Sequence, residues 1–128
     1  MGAAERPKIG TIGWRDLTVR DAEGVRDFYQ RVVGWTAKAE EMGGYSDFSM
    51  IPPGADEPVA GVCHARGANA DLPAQWLMYI VVEDVALSAA RCAELGGKVL
   101  SGPRPTAGGR FCVIQDPAGA VCALYQYE

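Results

Sequence analysis

The feature that most constrains this chain is a repeat. Residues 14–19 (Trp-Arg-Asp-Leu-Thr-Val) read as a strand and run straight into Arg20-Asp21, while residues 76–82 (Trp-Leu-Met-Tyr-Ile-Val-Val) read as a more apolar strand ahead of Glu83-Asp84. Asp21 and Asp84 are good helix N-caps, because a carboxylate there accepts from the unpaired N–H groups of the first turn. A helix is expected over residues 21–33, with Val25, Phe28, Tyr29 and Val32 on its apolar face and Gly34 as its stop. A second is expected over residues 84–95, with Val85, Leu87, Ala89, Cys92 and Leu95 apolar and Gly96-Gly97 ending it. A shift of 63 residues lays Val19 on Val82, Asp21 on Asp84 and Gly34 on Gly97. The same shift lays residues 45–50 over 108–113, and residues 58–64 over a stretch beginning at Val121. Turns at Pro52-Pro53-Gly54 and Asp116-Pro117-Ala118-Gly119 fall at matching places. Each half therefore reads as strand, helix, then two or three strands. Residues 65–74, rich in Gly, Asn, Asp and Pro, join the halves.

A chain of 128 residues has room for one domain with a real core. Twelve Lys and Arg stand against sixteen Asp and Glu, a net charge of -4 without a basic cluster, so no nucleic-acid partner is expected. No apolar run approaches the ~20 residues that span a bilayer, and the N-terminus shows no signal-peptide pattern; the reading is no membrane and a cytoplasmic location. The four cysteines form no Cys-x-x-Cys pair and read as reduced core residues. His64 is the single histidine, which excludes a two-histidine zinc site and weakens a catalytic triad. The Gly-Gly pairs at 43–44, 96–97 and 108–109 stand in turns rather than between a strand and a helix, so no nucleotide loop is present and no cofactor is expected.

The run Trp14-Arg-Asp-Leu-Thr-Val-Arg-Asp21, then Phe28-Tyr29 and Gly34-Trp35, resembles the first module of the vicinal oxygen chelate superfamily. That group includes glyoxalase I, bleomycin and fosfomycin resistance proteins and extradiol dioxygenases. Val82-Glu-Asp-Val85, Leu95-Gly-Gly97, Gly109-Arg-Phe111 and Asp116-Pro-Ala-Gly119 resemble its second module. The resemblance implies an α+β fold: two βαβββ modules with mostly antiparallel, curved sheets that form a cup around one ligand site. Within a single domain over 1–128, module one covers about 9–64, a linker about 65–74, and module two about 75–127. Metal-dependent members carry His or Glu at four equivalent strand positions, and the family register places Trp14, Ala60, Leu77 and Ala123 there. None of these side chains can donate to a divalent ion, so no metal is expected. The family pattern also implies a homodimer, with Trp35 and Tyr127 as exposed aromatics available to an interface.

Strand alternation groups Ala60, Val62 and His64 on one face of their strand, and Trp14, Asp16 and Thr18 on one face of theirs. If Ala60 and Ala123 line the cup, the same parity sends Trp14, Asp16, Leu77, Tyr79 and Tyr125 toward it, with Gln75 and His64 at the rim. Cys63 and His64, as sequence neighbours on a strand, point to opposite faces and make no dyad. His64, Asp16 and Gln75 are the residues that could converge to rebuild a metal site. Asp16 is costly to bury without a partner. It either orients a ligand or acts as a base, or it pairs with Arg15, Arg110 or Lys98. Two functions stay open. One is a protein that binds a small apolar or aromatic molecule. The other is an enzyme of the lyase, isomerase or oxygenase type, with Asp16 or His64 as general base and a tyrosine hydroxyl as partner. A packed cup in a purely structural subunit is the third.

Overall fold

A computed structural model describes residues 6–128. In chain order the elements are β1 (Ile12–Val19), α1 (Ala22–Val33), β2 (Thr36–Glu41), β3 (Ser46–Ile51), β4 (Ala60–His64), β5 (Trp76–Val81), α2 (Val85–Glu94), β6 (Lys98–Thr106), β7 (Gly109–Gln115) and β8 (Val121–Tyr127). The linker holds one short 3-10 turn at Gly67–Asn69. The class is α+β with three strands after each helix. Among the described residues no helix is long and apolar enough to cross a membrane.

The chain divides into two compact units: Arg15–Trp76, and Leu77–Glu128 together with Trp14 and the described residues before it. In the first, strands run in the order β2-β3-β4-β1; β1 and β4 are parallel and the other pairs antiparallel. The second repeats this as β5-β8-β7-β6, with β5 and β8 parallel. Parallel neighbours need a crossover, and in each unit the helix supplies the first leg of it.

The caps form as the residue types dictate. Asp21 Oδ1 accepts from the Gly24 N–H at 3.0 Å, and Asp84 Oδ1 from the Leu87 N–H at 3.0 Å. Gly34 closes α1 in the left-handed region at φ 86°, which a side chain would resist. Gln30 Oε1 then accepts from the Ala37 N–H at 3.0 Å and ties the helix exit to β2. Beneath α1, Ala22, Phe48, Met50 and Val62 are buried, with Val25, Tyr29, Trp35 and Trp76 packed against them. Beneath α2 the equivalent group is Val85, Ala89, Cys112 and Leu124.

Four expected core positions lie outside. Phe28 and Val32 are 55% and 64% exposed, and Leu87 and Leu95 are 45% and 76% exposed. The inward stripes are Ala22-Val25-Tyr29 and Val85-Ala89-Cys92, each at i, i+3 or i+4, and i+7. Phe28 and Leu87 lie one and two residues off them, about 100° or more around the helix; Val32 falls in line with Val25 but in the last turn, and Leu95 lies just past the end of α2. Trp35 and Tyr127, read as exposed, are half-buried: Trp35 stacks with Tyr29 and Trp76, and Tyr127 meets the Tyr125 ring at 4.9 Å. Two strands escaped the sequence reading, β2 and β6. Both are edge strands, where alternation is not enforced: β2 carries Lys38, Glu40 and Glu41, and β6 carries Pro103 and Pro105 with breaks in its register.

Asp84→Ala is expected to lower stability by about 1 kcal/mol through loss of the cap, while Leu95→Ser stays within about 0.5 kcal/mol of the parent because it changes only exposed surface. Urea denaturation of the two variants checks the stripe assignment: a larger loss for Leu95→Ser would contradict it.

Candidate functional site

In the first unit the β1–β4 register sets Asp16 opposite Gly61 and Leu17 opposite Val62. Val62 packs under α1, so Asp16 and Gly61 belong to the face turned away from the helix. A Cβ on Gly61 would lie 2.2 Å from Asp16 Oδ1 and 3.6 Å from Cys63 Sγ. The Asp16 carboxylate therefore lies flat across the Gly61 backbone beside the Cys63 thiol, a position open only to glycine at 61. This corrects two expectations. Ala60 does not share a face with Asp16: it pairs with Met50 on the α1 side and is buried there. In the second unit Tyr79, one repeat after Asp16, pairs with Ala123. The position equivalent to Ala123 is therefore Gly61, one residue beyond the place a constant shift gives.

The Cys63 thiol is pushed up, first by burial and then by the carboxylates of Asp16 and Asp47, and it donates a hydrogen bond to Asp47. A thiol held protonated is a poor nucleophile. Asp47 is a residue that the sequence reading missed. Its Oδ1 accepts from the His64 backbone N–H at 2.8 Å and lies 3.1 Å from His64 Nδ1. Carboxylates only accept, so Nδ1 carries the proton and Nε2 is left 3.7 Å from Glu23 Oε1 on α1. The ring lies against Phe48 and Tyr45. His64 thus turns toward α1, whereas Asp16 lies on the opposite face, so the two do not converge. Gln75 is exposed in the turn before β5, where its N–H donates to the Pro73 carbonyl at 2.9 Å. Arg15, offered as an ion-pair partner for Asp16, instead donates from Nη1 to the Val59 carbonyl at 3.1 Å. Only an alternation clue could have marked Asp47: it stands one residue before Phe48, and so opposite the helix-facing set.

The second unit holds the other candidates. The β5–β8 and β7–β8 registers set Tyr79 opposite Ala123, Val113 opposite Ala123 and Phe111 opposite Tyr125. Leu77, Val113 and Ala123 are fully buried, Phe111 and Tyr125 nearly so, and Tyr79 and Trp14 half-buried. The Tyr79 and Phe111 rings lie 6.2 Å apart, and the Arg104 guanidinium covers Phe111 at 4.6 Å. Tyr125 donates from its hydroxyl to the Ala107 carbonyl at 2.7 Å, and burial raises its pKa. This face, opposite α2, is apolar with two phenols. Phe111 and Arg104 were missed as members. The hairpin around Asp116–Gly119 would have supplied Phe111, since it fixes the β7–β8 register.

The candidates therefore fall into two sets: Asp16, His64 and Gln75 in the first unit, and Trp14, Leu77, Tyr79, Ala123 and Tyr125 in the second. Among the described residues no three His, Cys, Asp or Glu side chains cluster as a metal site would require.

Two βαβββ modules with these motifs define a class. Residues 8–124 match the Glyoxalase/Bleomycin resistance protein/Dioxygenase superfamily, and the chain belongs to it. It is 30% identical over 125 residues to "Putative glyoxylase CFP32" of Mycobacterium tuberculosis, covering 97% of this chain and 47% of that protein. It is 32% identical over 129 residues to anthracycline biosynthesis protein DnrV of Streptomyces peucetius, covering 91% of this chain and 47% of that protein. The chain thus spans about half the length of these relatives. Among solved structures, methylmalonyl-CoA epimerase from Mycobacterium tuberculosis superposes with a TM-score of 0.52 at 18% identity, covering 89% of this chain and 85% of the other, which shows a shared fold.

Gly61→Ala is expected to dislodge the Asp16 carboxylate and destabilise the first unit. Asp16→Ala should relieve that clash, so the double variant should recover at least about 0.5 kcal/mol relative to additivity. A thermodynamic cycle from chemical denaturation measures it, and strict additivity would contradict the placement of Asp16.

Proposed function

We propose that this protein binds a small apolar or aromatic molecule on the sheet face of the second unit opposite α2, without the family's metal. The observation that carries this reading is the lining. Leu77 and Ala123, two of the positions where metal-dependent relatives place ligands, stand here as buried apolar side chains. Tyr79 and Phe111 lie beside them as aromatic surface. The donors present do not fit a resident divalent ion: Trp14, Leu77, Ala123 and either Ala60 or Gly61 offer neither imidazole nor carboxylate. Apolar contact then supplies affinity, while a hydroxyl or two sets orientation. Tyr79 is the hydroxyl we assign to that task, because its half-buried ring stands beside Phe111 on this face. The names of the anthracycline-biosynthesis relatives support an aromatic ligand. We also propose a homodimer: curated relatives of about twice the length are consistent with two copies of this chain doing the work of one longer protein.

A second reading, catalysis in the first unit, is favoured by one observation. Asp47 holds the Nδ1–H of His64, which is how a carboxylate orients an imidazole so that Nε2 can accept a proton. Asp16 is the other candidate base on that reading.

Thermal-shift screening against fused-ring aromatic compounds is expected to raise Tm by mass action. Tyr79→Phe should weaken the best binder several-fold, while Asp16→Asn leaves it unchanged. A screen without hits, or a binder indifferent to Tyr79→Phe yet lost in Asp16→Asn, would move the site to the first unit. Elemental analysis finding one Zn, Ni, Fe or Mn per chain would overturn the metal-free reading. Light scattering at micromolar concentration is expected to give the dimer mass.

A further inference from the structure

A groove of about 940 Å³ runs along α2 on the helix side of the second unit, away from the face discussed above. Its apolar part is Ile80, Val82 and Leu87, and Leu87 is 45% exposed. From α2 and its N-cap it receives Asp84, Ser88 and Arg91, spaced at i, i+4 and i+7. From the sheet it receives Arg110 and Gln126, cross-strand partners on β7 and β8.

The commitments of these polar groups differ. Gln126 Oε1 accepts from the Val85 N–H at 2.9 Å and Asp84 Oδ1 caps the helix, so both are occupied by α2 itself. Among the described residues neither Arg91 nor Arg110 has an ion-pair or side-chain hydrogen-bond partner. Two unpaired guanidiniums in an apolar-floored groove are suited to a carboxylate, which a guanidinium meets with two parallel N–H···O bonds. Of the acids on the rim, Asp84 is committed as the cap and Glu83 remains. Asp84 keeps its charge as the cap, so Glu83 and Asp84 balance the two guanidiniums and the lining is neutral overall. A single carboxylate between the guanidiniums suits that balance, and a dianion is opposed by the two rim acids.

We propose that the α2 groove is a second ligand site that takes an amphipathic monocarboxylate, its head at Arg91 and Arg110 and its hydrocarbon along Ile80, Val82 and Leu87. This site is independent of the proposed aromatic site, because the two lie on opposite faces of β5, β7 and β8.

The test uses octanoate, octanol and octyl phosphate with the full chain, read by amide chemical shifts. Octanoate is expected to shift Ser88, Arg91, Arg110 and Gln126 while leaving Tyr79 and Tyr125 in place, and to bind about tenfold tighter than octanol. The Arg91→Gln/Arg110→Gln double variant, which removes no contact of the fold, is expected to bring octanoate down to the octanol level. Several outcomes overturn the proposal: equal affinity for octanol, an unchanged double variant, or tighter binding of octyl phosphate. Shifts confined to Tyr79 and Tyr125 would also overturn it, by placing octanoate on the aromatic face. Absence of any aromatic ligand in the thermal-shift screen would leave this result standing, so the two readings fail separately.

Discussion

Everything in each module depends on the return of its last strand to lie parallel beside its first. β4 pairs with β1, and β8 with β5, and each pairing closes a unit that would otherwise be a strand, a helix and a loose antiparallel meander. The closure fixes two things at once. It commits one face of the strands to the helix, through Val62 and Met50 in the first unit and Leu124 and Cys112 in the second. It also decides, residue by residue, which side chains occupy the other face. Because the side-chain period on a strand is two, a slip of one residue in that register exchanges the two sets.

That slip is where sequence reasoning reached its limit. The repeat, the caps and the stops are local signals, and they found both helices, six of the eight strands, and the family. The shift of 63 residues holds from Val19 through the caps Asp21 and Asp84, slips at the helix exit, where left-handed Gly34 answers to Gly96 rather than Gly97, and fails again at β4, where Gly61 rather than Ala60 faces Asp16. Nothing local marks the difference, since Ala60, Gly61 and Val62 are all small or apolar. The pairing partner decides it. The edge strands β2 and β6 were silent for a related reason: solvent on one edge removes the demand for alternation, so Lys38 and Glu40, or Pro103 and Pro105, carry no period to read. Asp47 was invisible because its role lies in reaching His64, 17 residues away.

The candidate residues within each unit depend on the same geometry. Asp16 lies over Gly61 because β4 offers no Cβ there, and it keeps the neighbouring Cys63 protonated by adding its charge to the effect of burial. Tyr125 reaches the Ala107 carbonyl because the β7–β8 pairing sets the β6–β7 turn at Ala107–Gly108 and the start of β7 beside its hydroxyl; a Cβ on Gly109 would stand 3.0 Å from that oxygen. In both units a glycine on one strand makes room for a polar group from its neighbour. The chemistry of the pair differs: a carboxylate beside a thiol in one, a phenol bonded to backbone in the other.

That difference is what duplication leaves for function to act on. Two modules of one topology present, on equivalent faces, Asp16, Asp47 and Cys63 in the first and Leu77, Tyr79, Phe111 and Ala123 in the second. The first set has two carboxylates beside a thiol, and Asp47 reaches from it to the imidazole of His64 on the helix side. The second has the apolar area that burying a hydrocarbon needs, at roughly 25 cal/mol per Å² removed from water. A fold shared with epimerases does not choose between these uses. The two linings differ in chemistry, polar in one unit and apolar in the other. The α2 groove lies on the other face from the second set: among the described residues neither Arg91 nor Arg110 pairs with another side chain, and Arg91 adds a cation in the last turn of α2, where it suits the helix dipole.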